Sequence, residues 1–328
     1  MALAPDLPDE GELPTLAGAT AWFNSEPLTP AGLRGQVVLV NFWTYSCINW
    51  IRTLPYVRAW AERYRDRGLV VLGVHTPEFG FETDVDNVRR AAKDMGVGYP
   101  IALDSDYAVW EAFDNHYWPA LYFVDADGQI RHHWFGEGEY EGSETVIREL
   151  LASSGAEVPD QELVSVAPQA VEAAADWANL DTQETYVGYA RAERFASPGG
   201  AVWDERRFYS NPQQLQTNEW TLAGEWTVGR EAAVLNDRDG QISFRFHARD
   251  LNLVMGPSQG AKPVRFRVRI EGEPPGPAHG IDTDDQGGGT VTEPRMYQLV
   301  RQPGAVIDRT VEIELLDPGL DAYVFTFG

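Results

Sequence analysis

Val37 to Phe42 run as a continuous apolar stretch and then break into a polar turn that carries Cys47, and this junction constrains the fold more than any other part of the chain. The stretch has the pattern of a parallel strand covered on both faces. After Cys47, Trp50, Leu54, Val57, Ala61 and Tyr64 recur at spacings of three and four, the period of a helix face, and Gly68 is placed to end the helix as a C-cap. A thiol between a buried strand and a helix meets free backbone N–H groups and the positive end of the helix dipole. Both favour thiolate, so its pKa is expected to fall below the free value of about 8.5. Pro55 lies inside the helix, where it costs about 3 kcal/mol unless tertiary structure calls for it.

Cys47 is the one cysteine among 328 residues, which excludes an intramolecular disulfide and a multi-cysteine metal site. The histidines are scattered except for His132 and His133, and neighbours on a strand point to opposite faces. No metal and no cofactor are expected. The formal charge of −24 argues against nucleic acid and against anionic membrane surfaces as partners. No stretch approaches the roughly 20 apolar residues of a membrane helix, so no membrane insertion is expected. The N-terminal segment, Met1 to Pro14, lacks a basic start and an apolar core. As written it predicts a soluble, cytoplasmic chain, with an extracytoplasmic place open if a leader has been removed.

The rest of the first half alternates strands with helices. Leu69–Val74 reads as a second buried strand, Asp86–Met95 and Tyr107–Asn115 as helices, and Ala120–Val124 as a strand. Asp125-Ala126-Asp127-Gly128 is a turn that returns the chain as Gln129–Phe135. Ser143 is placed as the N-cap of a terminal helix over 143–151. Helical periodicity then disappears. Short alternating runs such as Val264–Ile270 and Val311–Leu315, separated by Gly, Pro and Asp turns, predict an antiparallel sandwich with one wet face. The expected organisation is an α/β domain over 1–155, a linker over 156–181 and an all-β, jelly-roll-like sandwich over 182–328. His279 to Asp285 is acidic but lacks the spacing of a calcium loop and reads as a solvated loop.

Phe42-Trp43 before the cysteine and a proline eight residues after it resemble the thioredoxin superfamily. Tyr117-Trp118-Pro119 stands directly before a strand, where that superfamily places a cis-proline facing the cysteine, so the Trp118–Pro119 bond is expected to be cis. The closer resemblance is to TlpA-like redoxins of the DipZ C-terminal type. It is carried by Phe42-Trp43-Thr44-Tyr45-Ser46-Cys47-Ile48-Asn49-Trp50, His75-Thr76-Pro77-Glu78, Tyr117-Trp118-Pro119 and the closing Phe325-Thr326-Phe327-Gly328. Those redoxins have a second cysteine where this chain has Trp50, so a dithiol cycle does not carry over.

The resemblance implies a thiol-disulfide oxidoreductase-like protein working through Cys47 alone, on protein or small-molecule thiols and disulfides, with an outside thiol to resolve the mixed disulfide. It implies a proton-transfer role for Glu78, an active-site motif of Trp43, Tyr45, Ser46 and Trp50, and a substrate groove at Trp118 and Pro119. It also implies a carbohydrate-binding-module-like second domain, with a glycan or a protein as its candidate partner. Trp203, Trp220 and Trp226 are candidate platforms for a glycan, and most of them are expected in the buried core. A second reading is non-catalytic: a degenerate thioredoxin fold whose groove binds a peptide. A one-cysteine peroxidase is a third. Thr44 fits the peroxiredoxin pattern, but Val40 stands where that pattern has a proline, and an arginine near Pro119 is missing.

Overall fold

A computed structural model describes residues 7–158 and 162–328. The first six residues of the N-terminal segment, and 159–161 of the predicted linker, lie outside the described residues. The chain divides into two compact units, Met1–Ala173 and Ala174–Gly328.

In the first unit the elements follow in the order β1 (Ala21–Phe23), α1 (Pro30–Leu33), β2 (Val37–Trp43), α2 (Ile48–Tyr64), β3 (Leu69–His75), α3 (Val85–Asp94), β4 (Ile101–Leu103), α4 (Ala108–Ala112), β5 (Ala120–Val124), β6 (Ile130–Phe135) and α5 (Tyr140–Ser153). They build one sheet of order β1-β4-β3-β2-β5-β6. β2 is fully buried along its length, parallel to β3 in the register Val37↔Leu69 to Trp43↔His75, and antiparallel to β5. The apolar run therefore lies in the interior of the sheet, and its C-terminal end opens onto the cysteine turn. Short β1 and β4 carry too little sequence pattern to be read in advance; they complete the edge through Ala21↔Leu103 and Phe23↔Ile101.

Two helix boundaries differ from the sequence reading. Ser143 does not cap α5: the helix starts at Tyr140, with Glu139 as N-cap, and Ser143 is buried inside it. Tyr140 stacks on Tyr56 of α2 with ring centroids 3.7 Å apart, and this tertiary contact draws the helix start one turn back. α4 is shorter than 107–115 because the chain leaves the helix at its C-terminal end, where Asp114 takes a φ of 49° and Asn115 N turns back to the Trp110 carbonyl at 3.0 Å; at the other end Asp104 accepts from Val109 N and Trp110 N at 2.8 Å each. Residues 162–173, within the predicted linker, hold to the first unit. Val164 N donates to Glu144 at 2.8 Å, and Arg58 pairs with Glu172 at 2.6 Å.

The second unit is all β. Its strands, from Thr185–Tyr186 to Leu320–Phe327, pair antiparallel in one 11-stranded sheet. Alternation decides which side of a strand is dry. Along Val264–Ile270, Val264, Phe266 and Val268 are buried while Arg265 and Arg267 are exposed. Trp220 and Trp226 join the core with Phe244, Phe325 and Tyr297. Two of the three candidate glycan platforms thus lie in the core, the fate expected of most of them. Trp203 is 61% exposed and stacks on Tyr189 at 5.1 Å. Among the described residues no helix is long and apolar enough to cross a membrane, and no group of three metal-binding side chains occurs.

Candidate active site

Cys47 sits where the end of β2 turns into α2, as the N-cap residue of that helix in extended conformation. It is half-buried and in no disulfide. The first helical N–H groups have no intrahelical acceptors and point toward this end, so a negative sulfur here is stabilised by the helix. The Trp118–Pro119 peptide bond is cis, as the resemblance implies. The Cys47 thiol donates to the Trp118 carbonyl across 3.7 Å. Trp118 is itself pinned: its indole N–H donates to the Thr76 carbonyl at 3.0 Å, and its ring lies 4.3 Å from Trp110. Gly136 N donates to the Pro119 carbonyl at 2.8 Å, tying this loop to the end of β6. Cys47 and the Trp118–Pro119 pair therefore come together from two separate parts of the sequence.

Trp50 is one helical turn after Cys47 and faces the interior, with no exposed surface. Its indole N–H donates to Asn41 Oδ1 at 3.0 Å, and its ring stacks on Trp43 with centroids 4.3 Å apart. Asn41, on β2, is likewise fully buried, so the indole supplies the hydrogen bond that its carbonyl needs. Room for Trp43 comes from Gly73 on β3, where a Cβ would come within 2.9 Å of the indole nitrogen. The position of the absent second thiol is thus filled by a packed, hydrogen-bonded ring.

His75 closes the other side of this aromatic cluster. It lies edge-on to Trp43 at 4.8 Å and parallel to Tyr45 at 5.8 Å. It is 1% exposed, and burial pushes its pKa down to about 3, so it is neutral at physiological pH. Tyr45 and Ser46 are both buried in the turn.

Glu78, the acid singled out in the sequence, lies half-buried on the loop after β3. Four residues on, Glu82 is a fully buried carboxylate, 1% exposed. Its Oε1 accepts from Ser46 Oγ at 2.6 Å and Ser46 N at 3.4 Å, and its Oε2 from Glu78 N at 2.7 Å and Phe79 N at 3.0 Å. Burial pushes its pKa up to about 7, against the opposing pull of the hydrogen bond from Ser46. Sequence reasoning missed Glu82. An acid between Phe81 and Thr83 in a polar loop carries no periodic signal, and the contact that buries it spans 36 residues.

Below the turn, Arg52 of α2 and Glu137 form a buried ion pair at 3.1 Å, with side chains 2% and 7% exposed. It fixes the first turns of α2 to the segment after β6. The arrangement as a whole offers one nucleophilic sulfur, a helix start to stabilise its charge, and a facing carbonyl.

A family model described as "AhpC/TSA family" matches residues 13–133, and one described as "Thioredoxin like C-terminal domain" matches 182–328. Protein DipZ of Mycobacterium tuberculosis (strain CDC 1551 / Oshkosh) is 40% identical over 252 residues, which are 75% of this chain and 35% of that protein. The chain thus spans about a third of that relative's length. Thiol-disulfide oxidoreductase YkuV of Bacillus subtilis (strain 168) is 32% identical over 142 residues, 43% of this chain and 95% of YkuV. Among solved structures, "Solution Structure of a Thioredoxin-like Protein in the Oxidized Form" matches with 33% identity and a TM-score of 0.41, covering 44% of this chain and 96% of that one.

Proposed function

The chain belongs to the thioredoxin-like thiol-disulfide oxidoreductases, as a redoxin of the DipZ type, and from that premise we propose that it exchanges disulfides through Cys47 alone. The Cys47 thiolate attacks one sulfur of a disulfide R–S–S–R′. A Cys47–R mixed disulfide forms and R′ leaves as thiolate. An outside thiolate R″–S⁻ then attacks the R sulfur, making R–S–S–R″ and returning Cys47 as thiolate. One disulfide is exchanged for another and no electrons remain on the protein.

The observation that carries this reading is the contrast between positions 47 and 50: a half-buried thiol at the helix start, and one turn later a fully buried indole bonded to Asn41. Trp43, Tyr45 and Ser46 shape the turn, Trp118 and Pro119 form the wall along which a substrate chain lies, and Glu78 serves proton transfer at its mouth. The domain reading is likewise proposed: a redoxin domain over 1–155, a linker over 156–181 and a binding module over 182–328. Support for a glycan ligand of the module is the exposed face of Trp203 on Tyr189, a flat surface suited to a sugar ring. A glycan array probed with the wild type and Trp203→Ala tests that part, and equal signals from both would refute it.

The exchange reaction is tested by following release of a fluorescent thiol from a mixed disulfide substrate at several glutathione concentrations. The steady-state rate should rise with glutathione, release without it should stop after one equivalent per Cys47, and both should be abolished in Cys47→Ser. Turnover of the wild type without any outside thiol contradicts the proposal.

A further inference from the structure

Glu82 is a buried titratable group that the exchange reaction as written does not use. Its two oxygens serve two different pieces of chain. Oε2 takes the backbone amides of Glu78 and Phe79, which can only donate, so that oxygen is an acceptor in either protonation state. Oε1 faces the cysteine turn, where its 2.6 Å partner is a hydroxyl. A hydroxyl both donates and accepts, so that bond survives a change of charge by reversing direction. Ionised, Glu82 accepts from Ser46; neutral, it donates to Ser46. Ser46 is the residue before Cys47, and Glu82 also takes the Ser46 amide at 3.4 Å. The carboxyl is therefore braced against the piece of backbone that aims the sulfur.

Given the reading of Cys47 as nucleophile, on which this rests, we infer that Glu82 is its positioning residue: through Ser46 it holds the sulfur at the start of α2, and its charge state is coupled to that of the thiol. An ionised Glu82 opposes a second negative charge on Cys47, and a neutral one does not. With burial pushing this carboxyl up to about 7, the exchange of states falls near neutral pH. The titratable and charged groups on the elements packed around it are Glu78 on its own loop, Tyr45 and Cys47 on the facing turn, and His75 at the end of β3. Tyr107, whose hydroxyl donates to the Pro77 carbonyl, Asp104, which accepts from Thr76 Oγ1 at 3.1 Å, and Asp84, which caps α3, lie on the neighbouring segments. Glu78 raises the Glu82 pKa by charge, and His75 is neutral at these pH values.

The test is the rate of Cys47 alkylation by iodoacetamide between pH 5 and 10 in wild type, Glu82→Gln, Glu82→Ala, Ser46→Ala and Glu78→Gln, each first shown to be folded. The wild type should show two steps, one near neutral from Glu82 and one from the thiol. Glu82→Gln should show a single step, with the thiol midpoint lower by roughly half a pH unit or more. Glu82→Ala loses the brace as well and should react several-fold more slowly than Glu82→Gln at every pH. Ser46→Ala removes a donor to the ionised carboxylate, so the neutral step should move to higher pH. Glu78→Gln removes a charge that raises the Glu82 pKa, so both steps should remain with the neutral one moved to lower pH. A two-step profile retained in Glu82→Gln, or lost instead in Glu78→Gln, overturns the inference. A second readout is independent of turnover: the carbon-13 titration of the Glu82 carboxyl in wild type and in Cys47→Ser. The two curves should differ by a shifted midpoint or an added inflection, and superimposable curves overturn the inference. A Cys47 no more reactive than a free thiol defeats the single-cysteine reading alone, and the carbon-13 comparison still decides the role of Glu82.

Discussion

Replacing Trp50 with cysteine restores the sulfur that the site lacks and removes the ring that occupies its place. The cost can be worked from the contacts. Deleting a fully buried tryptophan ring costs about 3–5 kcal/mol in a core that relaxes only partly. The loss includes the 4.3 Å stack on Trp43. Asn41 Oδ1 also loses its 3.0 Å partner inside the core, a further penalty of about 1–3 kcal/mol. These overlap, so the reduced variant should be less stable by about 4–6 kcal/mol. At about 2–4 °C per kcal/mol for a unit of this size, melting falls by roughly 10–20 °C. Oxidation should recover part of this. A disulfide from Cys47 to the new thiol closes a loop of four residues, for which the chain-entropy relation gives about 2 kcal/mol. The assay is thermal unfolding of the variant in reduced and oxidised form, with thiols counted after denaturation, followed by reduction of a protein disulfide. The oxidised form should melt higher than the reduced form and show no free thiol, and the variant should gain dithiol reductase activity that the wild type lacks. The reasoning fails if the reduced variant loses less than about 1 kcal/mol, since Trp50 would then not hold the site together. It fails equally if a folded, oxidised variant keeps both thiols free.

Two groups give the stability a specific pH dependence. Glu82, raised from 4.5 to about 7, contributes stability that is fully present below pH 4.5 and lost as pH rises through 7, in all about 3 kcal/mol. His75, lowered from 6.5 to about 3, contributes stability that is present above pH 6.5 and lost as pH falls toward 3, about 5 kcal/mol. The two oppose each other between pH 4.5 and 6.5. Urea unfolding of Glu82→Gln should therefore gain on the wild type as pH rises from 5 to 8, and parallel curves would contradict the assignment. For the buried pair, Arg52→Ala should cost about 3–5 kcal/mol by stranding Glu137, whereas Arg52→Met with Glu137→Leu should be close to neutral in chemical denaturation. A double variant as unstable as the single one would show that the charges themselves hold the helix in place.

What the sequence disclosed follows the range of the interactions involved. The buried strand over 37–43 and the helix after Cys47 were legible because burial and helix period leave local patterns. The cis bond at Pro119 was legible only through resemblance, since nothing local to Tyr117-Trp118-Pro119 fixes it. Glu82 was not legible: its environment is made by Ser46 and by two amides of its own loop, and from sequence it is one more acid in a polar stretch. Position 50 could be seen to lack a thiol, but not to be locked by Asn41 and Trp43, because that depends on which way the ring turns. Ser143 shows the reverse error, a good N-cap residue overruled by the stacking of Tyr140 on Tyr56.

The central claim is that a mixed disulfide on Cys47 has no resolving partner within the chain. The direct measurement is its lifetime. The protein is treated with oxidised glutathione, freed of small thiols and followed by intact mass over hours, with reduced glutathione then added to half of the sample. The account predicts a single glutathione adduct on Cys47 that persists in the untreated half and disappears in the treated half. An adduct that decays without added thiol, or the absence of any adduct, would contradict it.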